Sequence, residues 1–173
     1  VTPPGVGEAM VNIIEVSPHA PATAYVTISK YKFKDFTPLV FKTTDFGATW
    51  TKIVDGIAPE AWARVVREDP VRKDLLYLGT ETGFYVSFTG GQRWTKLQLN
   101  LPVTPITDLR VHQNDLVAST GGRAFWILDD LSVLQQWTDA TATSDVRLFT
   151  PRVAYRTQAF GGFGGGNPRA GKS

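Results

Sequence analysis

Two stretches of this chain recur further along it, and this internal repeat limits the possible folds more than any other feature of the sequence. The segment 17–29 is repeated at 69–81 with an offset of 52 residues, and 41–53 is repeated at 85–97 with an offset of 44. The two offsets differ by eight residues, so the first copy carries an insertion, which falls in 30–38. The residues that match between the copies are Pro18 and Pro70, Tyr25 and Tyr77, Gly47 and Gly91, and Trp50 and Trp94.

Each copy has the pattern of four short strands separated by turn residues. In the second copy the strands are predicted at 63–68, 75–80, 84–88 and 94–98, bounded by Gly, Pro, Asp or Asn. A third, shorter copy follows at 109–130. Four antiparallel strands that recur every 40 to 50 residues or so are typical of β-propeller blades, so the sequence predicts an all-β fold built of such blades. A β-sandwich with an accidental repeat is the alternative.

The repeat divides the chain into six segments. They are an interblade loop (1–9), a first blade (10–54), a second blade (55–98), a third, partial blade (99–130), a short helix and closing or flanking strand (131–160), and a Gly-rich flexible tail or linker (161–173). Such a partial propeller cannot close a ring and leaves sheet faces uncovered. We therefore expect further blades, from the same parent chain or from a cleaved partner.

The segment after the third blade carries the main helical signal of the chain. Residues 129–137 are predicted as a helix with Asp129 or Asp130 as its N-cap, and 146–156 as the closing strand. The last eight residues, 166–173, match a phosphate-binding loop by letter. A strand before the loop and a helix after it are missing from the pattern, so nucleotide binding is not predicted.

Composition excludes several classes of function. The chain has 42% hydrophobic residues and a net charge of +2, which indicates a globular domain and argues against nucleic acid as a partner. No apolar run is long enough for a membrane helix, and without cysteine there is no disulfide or thiolate site. His19 and His112 are not spaced as metal ligands. Neither a metal nor a cofactor is predicted.

The segment 43–50 is a turn followed by a tryptophan. Asp45 can accept hydrogen bonds from the amides of the turn, and Gly47 can adopt a positive φ. Trp50 is then expected to pack inward and to fix the hairpin between the third and fourth strands. The predicted role of this motif is architectural rather than catalytic.

The motif T-x-D-x-G-x-T-W in this segment resembles the Asp box, or BNR repeat, of sialidases, sortilin-type receptors and xyloglucan-cleaving propeller enzymes. The second copy, at 87–94, has Thr89 in place of the Asp, so we expect its turn to be less firmly bonded. The motif residues of the two copies are Thr43, Asp45, Gly47, Thr49, Trp50, Ser87, Gly91 and Trp94.

A closer resemblance involves 68–130, which is similar to the C-terminal end of exported bacterial proteins described as BNR-repeat glycosyl hydrolases or sortilin-like proteins. It covers the chain from about residue 10 to 155 and is most specific in the segment 125–130. This resemblance implies an exported protein, located in the periplasm, at the cell surface or outside the cell. Gly121 stands where that family usually has a histidine, so any role of the histidine is not carried over to this chain.

Candidate ligand-binding residues lie in connections on one rim of the predicted propeller. The insertion in 30–38 alternates lysines with aromatic residues, and the interblade segment 54–62 combines acids with a tryptophan. Such side chains suit stacking on sugars or gripping a peptide, although an extended hairpin would show the same alternation. The candidates are Lys30, Tyr31, Lys32, Phe33, Lys34, Phe36, Glu60, Trp62, Glu81 and Arg123.

Three functions remain open. The favoured one is a non-catalytic recognition propeller that binds a peptide, a protein or a polysaccharide outside the cytoplasm. The alternatives are a glycoside hydrolase whose active site is shared with further blades, and a structural subunit of a larger assembly. Paired carboxylates on the rim away from the Asp-box turns would favour the hydrolase. An aromatic or basic groove without paired acids would favour recognition. No local motif marks a sialidase-type arginine triad among Arg64, Arg67, Arg110 and Arg123.

Overall fold

A computed structural model describes residues 2–153, which form three antiparallel sheets. The first sheet contains β1 (Met10–Val16), β2 (Ala24–Lys30), β3 (Asp35–Thr43) and β4 (Thr51–Lys52). The second contains β5 (Ala63–Glu68), β6 (Leu76–Thr80), β7 (Phe84–Ser87) and β8 (Thr95–Lys96). The third contains β9 (Ile106–His112), β10 (Asp115–Thr120) and β11 (Phe125–Leu128). Strands neighbour one another in chain order within every sheet.

Short turns explain why consecutive strands pair. Between β9 and β10, for example, Gln113 and Asn114 both have positive φ, at 48° and 69°, as a tight two-residue hairpin turn requires. The outer strands β4 and β8 have only two residues each and pair antiparallel with β3 and β7. Each sheet is thus a simple meander made by local contacts.

The sheets pack face to face in chain order. Tyr25 and Val40 of the first sheet share a core with Val66 and Leu78 of the second. On its other face the second sheet packs through side chains that include Val65 and Tyr77 against Ile106 and Leu109 of the third. The first strands β1, β5 and β9 lie next to one another and form the inner edge of the stack. This is the arrangement of successive propeller blades, and it confirms the predicted fold class.

The two motif tryptophans occupy equivalent places in different sheets. Trp94 is buried between the first and second sheets, whereas Trp50 packs against Val26 and Phe41 on the outer face of the first sheet. They do not share one core, as they would in a sandwich. The repeat seen in the sequence is therefore a repeat of blades.

The helical part of the chain differs from the expectation. The helix α1 (Ser132–Gln136) is shorter than the predicted 129–137, and its N-cap residue, Leu131, makes no side-chain capping bond. Asp130 has a φ of +57°, so the helix cannot begin there, although its Oδ1 accepts a hydrogen bond from the amide of Ser132. A second short helix, α2 (Asp139–Ala142), was not predicted.

The predicted closing strand at 146–156 is absent from residues 146–153, which have no regular secondary structure. Residues 154–156 and the Gly-rich segment 161–173 lie outside the described residues. None of the described helices has the length and apolar character needed to cross a bilayer.

Candidate functional site

The strand connections lie at two opposite rims of the stack. The turn 44–50 lies beside the β1–β2 connection, since Thr43 pairs with Ala24 and the amide of Phe46 donates to the carbonyl of Ala22. We call this side, with the equivalent turn 88–94, the motif rim. The opposite side carries the β2–β3, β6–β7 and β10–β11 connections and is called the distal rim.

Hydrogen bonds within the first turn occupy the Asp45 carboxylate. The hydroxyl of Thr49 donates to Oδ2 at 2.6 Å, and the amide of Thr49 and the hydroxyl of Thr43 donate to Oδ1, each at 2.8 Å. Chiefly because of the Thr49 hydroxyl, these bonds lower the pKa of Asp45 to about 2. The Thr43 hydroxyl also accepts the amide of Gly47 at 2.9 Å. Asp45 therefore holds the hairpin and is not poised as an acid or a base.

The second turn makes fewer bonds of the same kind. The Ser87 hydroxyl accepts the amide of Gly91 at 3.0 Å, as Thr43 does in the first turn. The Thr89 hydroxyl accepts the amide of Arg93 at 3.1 Å, in the place of one Asp45 bond. The Thr89 hydroxyl thus replaces the Asp carboxylate in one hydrogen bond of the turn.

The eight-residue insertion lengthens a hairpin on the distal rim. The strands β2 and β3 have seven and nine residues, against five and four in β6 and β7. A one-turn 3-10 helix, Tyr31–Phe33, joins β2 to β3, and Lys34 closes it with a φ of 60°. The insertion therefore forms a projecting hairpin with a tight end, not a long irregular loop. We call residues 30–36 the tip.

A stack of side chains ties the tip to the second sheet. The rings of Tyr31 and Trp62 lie 4.9 Å apart between centroids with an interplanar angle of 16°. The guanidinium carbon of Arg64 lies 4.3 Å from the ring centroid of Trp62, and Arg64 Nε donates to Glu81 Oε2 at 2.6 Å. Trp62 itself is buried, so its ring is covered from within the protein. The stack fixes the tip relative to the next blade.

The outer part of the tip is basic and aromatic. Phe33 is 54% exposed and Phe36 is 46% exposed, which is unusual for side chains of this size. The exposed lysines Lys32 and Lys34 lie on either side of Phe33 along the chain. This surface offers two uncovered aromatic rings among positive charges.

The remaining candidates also lie on the distal rim but outside the stack. Glu60 is exposed in the segment that leads to β5, and Arg123 is exposed in the β10–β11 turn. Gly121, which stands where the resembling proteins usually have a histidine, lies in the same turn, and its amide donates to the carbonyl of Pro105. All ten predicted residues therefore share one rim, and Tyr31, Trp62 and Glu81 meet in one cluster.

Sequence reasoning missed an ion-pair cluster at the inner edge. Arg67 of β5 binds Glu15 of β1 and Asp108 of β9, with both N–O distances at 2.8 Å. Its Nε donates to the carbonyl of Leu109 at 2.8 Å. These groups line an open cleft of about 340 Å³. The only signal in the sequence was that Glu15 and Arg67 stand 52 residues apart, at equivalent positions of the repeat.

Among the side chains that the structure describes, no three from His, Asp or Glu converge as the ligands of a metal ion would. At the inner edge Glu15 and Asp108 bind Arg67, and Glu81 binds Arg64. Glu68 also lines the cleft but is in none of these ion pairs, and its buried Oε2 has no hydrogen-bond partner among the described residues. The described part of the chain thus offers an aromatic and basic surface on the distal rim, and Glu68 is the one carboxylate of the inner cleft outside its ion pairs.

Three solved structures resemble the fold. The GH74 enzyme of Niastella koreensis matches 69% of this chain at 19% identity, with a TM-score of 0.55 over 21% of its own length. YCF48 bound to D1 peptide matches 70% at 17% identity, with a TM-score of 0.51 over 38% of its length. YCF48 from Cyanidioschyzon merolae matches 73% at 19% identity, with a TM-score of 0.52 over 36% of its length.

These similarities establish the β-propeller fold and leave the function open, because one fold serves many functions. The chain spans well under half the length of each of these proteins. No protein-family profile matches the sequence, and no curated protein is significantly similar to it.

Proposed function

We propose that this chain is part of a non-catalytic recognition propeller that binds an extended ligand, a peptide, protein segment or polysaccharide, on the distal rim. The observation that carries the proposal is the tip, where Phe33, between Lys32 and Lys34, and Phe36 are exposed. The resemblance of 68–130 to exported proteins supports a location outside the cytoplasm, which fractionation of the native host would test.

The tip is suited to binding because it is already ordered. Tyr31 is stacked on Trp62 of the neighbouring blade, so the tip has little freedom to lose when a ligand arrives. Exposed aromatic rings can stack on sugar faces or on apolar side chains, and they are enriched at binding surfaces. The three lysines of the tip favour a ligand that carries carboxylate groups.

The described carboxylates fit recognition better than hydrolysis. A glycoside hydrolase needs two carboxyl groups facing each other across the scissile bond, one of them able to give up a proton. Glu15 and Asp108 both bind Arg67, and Glu81 binds Arg64, so Glu68 is the one described carboxyl group of the inner cleft without such a cation partner. YCF48, which shares the fold, has been solved with a bound peptide, so a propeller of this type can serve as a peptide-binding scaffold.

Immobilised chain presented with three defined probes tests the proposal. The probes are poly-L-glutamate, polygalacturonate and neutral xyloglucan, and binding is measured by interferometry at two salt concentrations. We expect an acidic probe to bind, with affinity about tenfold lower for Phe33→Ala and for the double variant Lys32→Glu with Lys34→Glu, a loss of about 1.4 kcal/mol each. The double variant Lys73→Glu with Arg93→Glu, on the motif rim, is the matched charge control and should bind like the wild type.

Three other outcomes would contradict the proposal. Release of reducing ends from xyloglucan would establish the hydrolase. Binding that is equally weakened by the double variant on the motif rim would reflect net charge alone and would remove the tip from the site. Failure of all three probes to bind would favour the structural-subunit alternative.

A further inference from the structure

Equivalent positions on the first and second sheets differ sharply in exposure. Val11 and Ile14 on β1 are 51% and 63% exposed, whereas Ala63 and Val66, 52 residues later on β5, are fully buried. The first sheet covers Ala63 and Val66. The corresponding face of the first sheet has no such cover among the described residues, and it is apolar.

The indole N–H groups of the two motif tryptophans differ in whether they have a hydrogen-bond acceptor. The indole Nε1–H of Trp94 donates to the carbonyl of Ile53 at 2.9 Å, and its main-chain amide donates to the carbonyl of Asp55 at 2.8 Å. Both acceptors follow the fourth strand of the preceding sheet. The Nε1 of Trp50 is also buried, yet it has no acceptor among residues 2–153. A buried donor without an acceptor costs stability, so an acceptor is expected in the complete structure.

The N-terminal segment indicates which residue is expected to supply the acceptor for Trp50. Residues 5–10, Gly-Val-Gly-Glu-Ala-Met, resemble 56–62, Gly-Ile-Ala-Pro-Glu-Ala-Trp, with one residue fewer. Val6 is buried in the cluster that contains Trp50, as Ile57 is buried in the cluster that contains Trp94. Since Ile53 precedes Gly56 by three residues, its counterpart before Gly5 is Thr2.

We propose that a further four-stranded sheet covers the Val11–Ile14 face of β1, with its fourth strand running into the segment 1–9. In that arrangement the carbonyl of Thr2 accepts the indole N–H of Trp50, as Ile53 does for Trp94. The occupant is another blade with an uncharged, apolar face, because the interface between the first and second sheets is apolar. A second copy of this chain does not fit as well, since its third sheet has only three strands among the described residues.

The test uses a matched pair of variants in two proteins. The first protein is the 173-residue chain. The second is a fusion that repeats residues 10–51 directly before Val1, so that Val1 takes the place of Lys52. In the chain alone, Trp94→Phe should lower the melting temperature and Trp50→Phe should leave it unchanged. In the fusion, Trp50→Phe is made in the original copy, which follows the added segment, and it should lower the melting temperature as much as Trp94→Phe does.

A second measurement does not need the fusion to fold. In the chain alone, the indole N–H of Trp50 should exchange with solvent at least tenfold faster than that of Trp94, which nuclear magnetic resonance can follow. Equal protection of the two indoles would overturn the proposal, because Trp50 would already have its acceptor.

Two further results would also overturn it. One is a fusion whose stability does not change with Trp50→Phe. The other is a concentration-dependent dimer of the unfused chain, seen by sedimentation and abolished by Ile14→Lys, which would make a second copy the occupant. The covering blade is independent of the ligand proposed for the distal rim, so either proposal can fail while the other stands.

Discussion

Replacing Arg67 should weaken the contact between all three sheets at once. Arg67→Met keeps the aliphatic part of the side chain but removes the guanidinium that binds Glu15, Asp108 and the carbonyl of Leu109. The substitution also leaves the Glu15 carboxylate, whose side chain is only 20% exposed, without its counter-charge. We therefore expect a loss of stability from an inner-edge contact rather than from the core.

The size of the loss follows from the exposure of each partner. The bond to the Leu109 carbonyl contributes about 1 kcal/mol, and the charge-assisted bond to the half-buried Glu15 about 1.5 kcal/mol. The Asp108 side chain is 59% exposed, so solvent screening reduces its share to about 0.5 kcal/mol or less. The sum is about 2 to 3 kcal/mol, or a decrease in melting temperature of about 5 to 10 °C for a domain of this size.

Urea denaturation followed by tryptophan fluorescence would measure this loss, with a double-mutant cycle to separate the partners. The coupling energy between Arg67→Met and Glu15→Gln should be about 1 kcal/mol, and that with Asp108→Asn less than about 0.5 kcal/mol. Arg67→Lys is the control that keeps the charge and only one donor group. A total loss below about 0.5 kcal/mol, or a larger coupling with Asp108 than with Glu15, would refute the reasoning.

Two other substitutions test the turns. Because bonds within its own hairpin hold the pKa of Asp45 at about 2, below the usual 3.8, that carboxylate stabilises the fold above about pH 4 and ceases to do so as the pH falls toward 2. Asp45→Asn should therefore lower the urea midpoint at pH 7 and flatten its decline between pH 4 and pH 2. Gly56→Ala would place a methyl group against the Trp94 carbonyl at a φ of +88°, whereas Gly5, with a φ of +74°, has open space around it. Calorimetry should show a larger loss for Gly56→Ala than for Gly5→Ala, and equal losses would indicate that backbone strain alone is responsible.

The blades could be predicted from the sequence because the interactions that define them are local. Asp45 and Gly47 bond within one turn, and each strand pairs with the next one along the chain. The offset of 52 residues also placed Tyr25 and Tyr77 at equivalent positions, and both are fully buried. Local pattern and turn chemistry were therefore sufficient for the fold class.

The contacts between blades could not be predicted in the same way. Arg67 meets Glu15 and Asp108 across sheet boundaries, and no local motif marks an ion pair between residues so far apart in sequence. Trp62 was recognised as an unusual residue, but its burial depends on Tyr31 and Arg64, which reach it from two sheets. Predicting such contacts requires the distances between sheets, which a periodic pattern does not contain.

After the third blade, the sequence-based prediction of a helix and a strand failed for a different reason. The acidic pair before α1 suggested a helix cap, yet the amide of Asp130 donates to the Asp115 carboxylate and its backbone has a positive φ. A tertiary contact from β10 thus delays the helix to Ser132. Similarly, the apolar pattern in 146–153 resembled a strand, but a strand needs a neighbour, and the third sheet ends at β11.

The two rims respond differently to a change in sequence, and this supports placing recognition on the distal rim. On the motif rim, side chains such as Thr43 and Asp45 bond to specific amides within the turn, so an added residue would break those bonds. On the distal rim, the β2–β3 connection ends two paired strands, so added residues extend the hairpin and leave the sheet intact, and here they allow Tyr31 to stack on Trp62. The two blades of this chain differ by eight residues at that connection and keep the same spacing from Gly47 to Trp50 and from Gly91 to Trp94. A surface that can be rebuilt without cost to the sheet is the one on which a propeller can acquire a ligand, and here it carries the exposed rings and lysines of the tip.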